Sequence, residues 1–310
     1  MQWEISNCPH FFNSLTKSSN SCHEIINSQS TRVIGEIADE PNLEHLPRPI
    51  PWLGDLESQE ILFLHCSPLS SELAGLPKWD SLLWPKSEIL SFDYGEYLKA
   101  NVNQSQEDLL AESHYLSAKS KRGNGYSRDL KSIIRFADEM SNVIFKNERE
   151  DLFLGLRFAV VNLVRCPSHS KKAILRAVDF CSKTWLLPTL ISSKAKIVFV
   201  LGQKPAQVIC NTFPEQVPQN WGFFRTDSRR HGQGFWPRTK GDLQERLNSG
   251  RWKTQDQLEN TFQLKLGDKS ILMVFHSTPG AGALWSTRLH TNLLSEEVVA
   301  YWRDFLLRQD

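Results

Sequence analysis

Six cysteines, a histidine and an asparagine that close apolar runs, and a basic segment interleaved with aromatics are the residues here that could do chemistry. Asn162 ends the run Arg157-Phe-Ala-Val-Val-Asn162, and its amide donates and accepts hydrogen bonds at once. His276 ends Ser270-Ile-Leu-Met-Val-Phe-His276, which puts a titratable ring at a strand terminus. Cys166 and Cys181 flank a helix-like run, while Cys8 and Cys22 lie in a polar Ser/Asn-rich segment that would be poorly ordered unless something tied it down. Between Trp221 and Lys253, eight Lys/Arg stand against three Asp/Glu, with Trp221, Phe223, Phe224, Phe235, Trp236 and Trp252 among them. That mixture suits phosphate contact combined with base stacking. A second basic run, Lys119 to Arg135, reads as either a basic face or a solvated one, the solvated face being favoured.

The elements that must position these residues follow from periodicity. Glu60-Ile-Leu-Phe-Leu-His65, the run before Asn162, Lys196-Ile-Val-Phe-Val-Leu201 and the run before His276 are short, apolar and rich in β-branched residues. Buried parallel strands that deliver loops at their carboxyl ends read this way. From Lys171 to Leu187, Ile174, Leu175, Val178, Cys181, Trp185 and Leu186 recur at spacings of three and four, which predicts a crossover helix and a βαβ unit. Ser295 to Leu307 predicts a C-terminal helix with Val298, Val299, Trp302 and Leu306 on one face. The expected fold is α/β, a three-layer α/β/α sandwich around a four-stranded parallel sheet with strands near 60, 159, 197 and 272. Residues 1–45 form an arm, and 46–310 a single domain with insertions near 94–150 and 212–256.

A chain of 310 residues with 40% hydrophobic content can bury one large core. No apolar run approaches the roughly 18 residues of a membrane span, and Met1-Gln-Trp-Glu-Ile-Ser lacks a charged start with an apolar follow-on. The expectation is a cytoplasmic monomer, in which cysteines do not serve as disulfides. A formal charge of only +1 means that any nucleic-acid contact must come from local patches. Leu201-Gly202-Gln203-Lys204 is too short for a phosphate loop, which argues against a nucleotide cofactor.

Several collinear blocks between about 45 and 290 resemble the uracil-DNA glycosylase superfamily, in its iron-sulfur branch of families four and five. Arg48-Pro-Ile-Pro-Trp-Leu-Gly-Asp55, with the following strand and Cys66-Ser67-Pro68, is similar to the family-five lead-in and its Gly-Leu-Ala-Pro motif. Gly75-Leu-Pro-Lys-Trp79-Asp80 resembles Gly-Arg-Pro-Phe-Thr-Gly-Asp. Val160-Val-Asn-Leu-Val-Arg-Cys166-Pro with Cys181 resembles Asn-x-x-Lys-Cys-x-Pro and its later cysteine. Val200-Leu-Gly202 with Ala206 is similar to the Ala-Leu-Gly-x-x-Ala strand end, and His276-Ser-Thr-Pro-Gly with Arg288-Leu289 to the His-Pro-Ser motif and its Gly-Arg-Leu tail.

The resemblance implies a DNA glycosylase that flips a nucleotide and hydrolyses its N-glycosidic bond. That reaction builds positive charge on the sugar and negative charge on the departing base. His276 would be the donor or electrostatic stabiliser. Asp80 would position the water, because the acidic place of the first family-four motif is Cys66 here. Asn162 would bond the edge of the flipped pyrimidine and Trp79 stack on it, with Cys66 and Ser67 lining the base pocket. Gln203, Lys204, Ser277, Thr278 and Arg288, with Arg225, Arg229 and Arg230, would face the DNA.

The resemblance also implies a structural 4Fe-4S cluster on Cys8, Cys22, Cys166 and Cys181, although thirteen residues separate the first pair where the family shows Cys-x-x-Cys. The alternatives are four ordinary thiols and zinc in the same four-thiolate site. His65 in place of Gly, Leu69 in place of a small residue and the lost Pro after the motif histidine rebuild the pocket rim. They point to a bulkier pyrimidine, such as hydroxymethylated or glucosylated cytosine in viral DNA, and so to repair or antiviral defence. The alternatives are a catalytically inactive module that senses modified or abasic DNA and, ranked last, a nucleotide-binding α/β protein.

Overall fold

The computed structural model describes residues 4–5, 8–11, 22–25, 49, 52–54, 56–66, 128–146, 148, 157–166, 168, 170–218, 258, 261–276 and 294–308. In chain order the elements are β1 (Leu53–Gly54), β2 (Ile61–His65), α1 (Arg128–Ile144), β3 (Ala159–Asn162), α2 (Lys171–Ser192), β4 (Ile197–Leu201), α3 (Gln203–Thr212), β5 (Thr261–Leu266), β6 (Lys269–His276) and α4 (Glu296–Leu307). The strands form one sheet in the order β1-β3-β2-β4-β6-β5.

β2 pairs parallel with β4, and β4 with β6. All five residues of β2 and of β4 are buried, as expected of strands covered on both faces. The mixed α/β reading therefore holds, and the four expected strands stand where the sequence put them. The count of four is corrected: apart from two-residue β1 there are five strands, because β5 adds an antiparallel edge to β6. Its pattern is the alternation of a half-buried strand, with Phe262 and Leu264 inward and Gln263 and Lys265 outward. A two-residue loop joins the two strands, and Gly267 occupies its first position at φ 64°, which the left-handed region opens to glycine.

The chain divides into two compact units. One comprises Met1–Leu53, Cys66–Lys131 and Val161–Ser192, the other Gly54–His65, Ser132–Val160 and Ser193–Asp310. In the second unit the core is aromatic. Phe63 and Phe199 stack at 5.0 Å across β2 and β4, Phe136 of α1 meets both edge-on, and Trp302 of α4 meets Phe199 at 5.4 Å. Helix α1 presents Ile133, Phe136, Ala137, Met140 and Ile144 as its buried stripe. Arg157 ties the approach to β3 back onto α1 through an ion pair with Asp138, while its carbonyl accepts from Ser141 Oγ. Helix α4 starts at Ser295, whose side chain accepts from the Val298 N–H, with Glu296 and Glu297 in the first turn to suit the helix dipole. Val298, Val299, Trp302 and Leu306 are its buried face, as their spacing predicts.

In the first unit α2 is the central element. Ser170 caps it by accepting from the Ala173 N–H. Ala173, Ile174, Ala177, Val178, Cys181, Trp185, Leu186 and Leu190 are buried along it, whereas Leu175, expected on that face, is exposed. The helix runs five residues past the predicted end and contains Pro188. Proline removes one backbone donor, which frees a carbonyl in the preceding turn. Thr184 and Thr189 hydroxyls bond back to the carbonyls of Phe180 and Trp185 on either side of it. The N-terminal segment is not loose where it is described. Cys8, Phe11 and Ile25 N–H groups close short turns on Ile5, Cys8 and Cys22 carbonyls, and Ile5, Phe11 and Ile25 are fully buried.

Candidate thiol centre and strand-end histidine

Two sets of chemistry-bearing residues stand out, one in each unit. In the first unit Cys8, Cys22, Cys166 and Cys181 are all reduced and all buried. Two come from the arm, one from the loop after β3 and one from the third turn of α2. The arm reaches α2 through His10, whose ring packs edge-on against Phe180 at 4.4 Å, and through Glu24, which pairs with Arg176.

The thiols feel one another. Burial pushes Cys166 well above the ordinary thiol range, and Cys22, Cys8 and Cys181 raise it further. Burial likewise pushes Cys181 up to about 11, with Cys8 adding to the rise. Cys8, Cys22 and Cys181 are thus the thiols whose charge acts on Cys166. Among the described residues, no three His, Cys, Asp or Glu side chains stand at the spacing of a single bound ion.

Arg165 is the feature of this centre that sequence reading missed. Its backbone and its guanidinium both oppose the rise in the Cys181 thiol's pKa. The guanidinium is itself buried, and Nη2 donates to Thr189 Oγ1 at 2.6 Å. A charge placed inside Val160-Val-Asn-Leu-Val-Arg165-Cys166 was the available signal, since charged residues are rarely buried without a partner.

The second set lies at the carboxyl edge of the parallel strands in the other unit. His276 is the last residue of β6, 1% exposed, and pairs in register with Leu201 of β4. Its carbonyl accepts the Gly202 N–H at 2.7 Å. Gly202, at φ 95°, makes the turn from β4 into α3, a backbone conformation that a side chain would strain. The His276 ring sits 4.3 Å from Phe136, on the sheet face that carries Phe63 and Phe199. His65, two residues beyond Phe63, shares that face and is also buried. Gln203 is exposed and Lys204 half-buried in the first turn of α3, directly after Gly202.

Asn162 ends β3 and is 3% exposed, and half-buried Cys66 accepts the Val164 N–H through its carbonyl at 3.0 Å. Both belong to the first unit, and His276 to the second. Asp80, Trp79, Ser67, Ser277, Thr278, Arg225, Arg229, Arg230 and Arg288 lie outside the described residues. None of the described helices is long and apolar enough to cross a membrane. Compared with protein-family models and with curated proteins, the chain matches none.

Proposed function

We propose that this chain is a DNA glycosylase with a four-thiolate iron-sulfur group, built on a glycosylase-like α/β/α arrangement and acting on a non-canonical pyrimidine. The observation that carries the reading is the gathering of Cys8, Cys22, Cys166 and Cys181 from three separate stretches of chain into one buried neighbourhood. Those four residues were singled out by the resemblance, against the irregular spacing of the first pair. Cys66 and Cys210, the two other thiols, do not enter the set of charges that raise Cys166.

The donor set fits the group. Four cysteine thiolates hold a 4Fe-4S cluster, each on a separate iron. A single zinc with Zn–S bonds of about 2.3 Å would draw its sulfurs to within ~3.8 Å of one another. When bound, the cluster would supply a covalent tie between the arm and α2 and no step of bond cleavage.

The cleavage itself falls to the chain's own residues. His276 would donate to, or stabilise negative charge on, the departing base, and its burial makes that interaction stronger than in water. Asp80 would orient water toward the far face of the sugar as positive charge develops there. Asn162 would bond the base edge and Trp79 stack on its face. Lys204 and Gln203, at the amino end of α3, would meet phosphate oxygens, for which a helix start with free N–H groups is suited.

The test is direct. Purified protein is incubated with duplexes carrying uracil, hypoxanthine, hydroxymethylcytosine or its glucosylated form, then treated with alkali to break abasic strands. Strand breaks at one of these bases are the expected result. Binding to such duplexes with no break in any of them would overturn the enzyme reading and favour the inactive sensor. Anaerobically purified protein should hold about four iron atoms per chain. Colourless protein lacking iron would remove the cofactor.

A further inference from the structure

We propose that Gln216 is an edge guard: its carboxamide stands in for the peptide group of a neighbouring strand and closes the open side of β5 against pairing with a second copy of this chain. The guard stands apart from the glycosylase reading and concerns the sheet alone.

β5 is the last strand in the sheet order, so one side of its backbone has no strand beside it. The ladder to β6 decides which residues face that side. A two-residue loop makes Leu266 and Lys269 a hydrogen-bonded pair, and in an antiparallel ladder such pairs alternate with non-bonded ones. Phe262 and Leu264 therefore turn their N–H and C=O toward β6, whereas Thr261, Gln263 and Lys265 turn theirs outward. At Lys265 the outward groups are met. Gln216 Oε1 accepts the Lys265 N–H at 2.7 Å, and Gln216 Nε2 donates to the Lys265 carbonyl at 3.1 Å. One side chain thus makes both bonds that a residue of an adjoining antiparallel strand would make.

The carboxamide is held from behind. Gln216 and Val217 N–H groups both close on the Phe213 carbonyl, at 3.1 and 3.2 Å, and the Phe213 N–H closes the end of α3 on Ile209. Val217 is buried, while Gln216 itself lies at the surface. An ordered turn therefore presents an exposed side chain to the strand edge.

What the guard excludes follows from β5's own residues. Paired antiparallel with a second β5 about Gln263, the edge sets Gln263 opposite Gln263 and Thr261 opposite Lys265 in both directions. No like charges face one another, and the inward Phe262 and Leu264 would carry the apolar face from one sheet into the next. Such an edge is a template for its own copy. Of the three places at which that pairing exchanges backbone bonds, Gln216 occupies the two that need Lys265, one on each copy.

Sedimentation of the full chain decides the matter. Wild-type protein should stay monomeric, while Q216A should dimerise with an association constant raised by about tenfold or more, equivalent to ~1.4 kcal/mol. Q216E keeps an acceptor for the Lys265 N–H and loses the donor, so it should fall between. Q216A/Q263P should return to monomer, because proline takes away the outward N–H at the centre of the pairing and leaves the ladder to β6 intact. Where Q216A does not fold, a Q216E dimer sustains the proposal and a Q216E monomer ends it. Folded Q216A that stays as monomeric as wild type overturns the guard. A Q216A dimer that Q263P does not dissolve also overturns it, since association then runs through another surface. Wild-type protein that dimerises as tightly as Q216A overturns it as well.

Discussion

His276 and Arg165 are both buried polar residues next to apolar runs, yet only one of them was legible. His276 ends a strand whose period is plain, and strand ends at a carboxyl edge are where sites collect in parallel sheets. Its ring is held by Phe136 and its carbonyl by Gly202, so replacing it removes a preorganised group rather than a mobile one. His276→Ala should therefore lower single-turnover cleavage by about a hundredfold or more while leaving duplex affinity within a few-fold. Asp80→Asn should do the same if it orients water. Loss of affinity with an unchanged single-turnover rate would move either residue to DNA contact. Arg165 was hidden because its partners, Cys181 and Thr189, are 16 and 24 residues further on, across a loop and half a helix. No local pattern announces a charge whose reason lies in another element.

At the scale of elements, the parallel strands and α4 were legible because their apolar period is unbroken. β5 was not, since Gln263 and Lys265 alternate with Phe262 and Leu264 in a segment of polar composition. The turn that follows offers a clean test. A Cβ at Gly267 would meet nothing within 4 Å, so the cost of Gly267→Ala is wholly that of forcing a side chain to φ 64°. The expectation is a loss of about 1–2 kcal/mol in chemical denaturation. Stability equal to the parent would mean that the hairpin relaxes to another turn. Lys269, on the other side of that turn, is half-buried and donates to the carbonyl and hydroxyl of Ser193. Burial lowers its pKa to about 8, below its ordinary 10.5. Between those values the unfolded chain holds the proton that the folded one has released, so this residue makes stability rise with pH. The stability of the parent minus that of Lys269→Met should grow from pH 8 to 10.5. A flat difference would show an ordinary lysine.

For the whole molecule, the sequence left the N-terminal segment as a polar arm in need of an anchor; its described turns show one, and the proposed cysteine-bound group would be a second. One is apolar: Ile5, Phe11 and Ile25 are buried and His10 packs on Phe180. The other is the pair Cys8 and Cys22, set among the thiols of the loop after β3 and of α2. The resemblance named this pair despite its thirteen-residue separation, whereas spacing alone could not, because a ligand set spread over distant stretches has no local rule once Cys-x-x-Cys is gone. Each turn alone is too short to be stable in water, and three buried side chains must offset the ordering of the segment that carries them. A metal-bound group that grips the folded chain adds its binding free energy to this balance. Hydrogen exchange on the loaded protein and on Cys22→Ser separates the two anchors. If the thiolates hold the arm, amides of residues 4–11 and 22–25 should lose protection by tenfold or more in the variant, together with its iron. Those of β4 and β6, in the unit that contains no cluster ligand, should exchange as before. Arm protection that survives the loss of iron would assign the docking to Ile5, Phe11 and Ile25 alone.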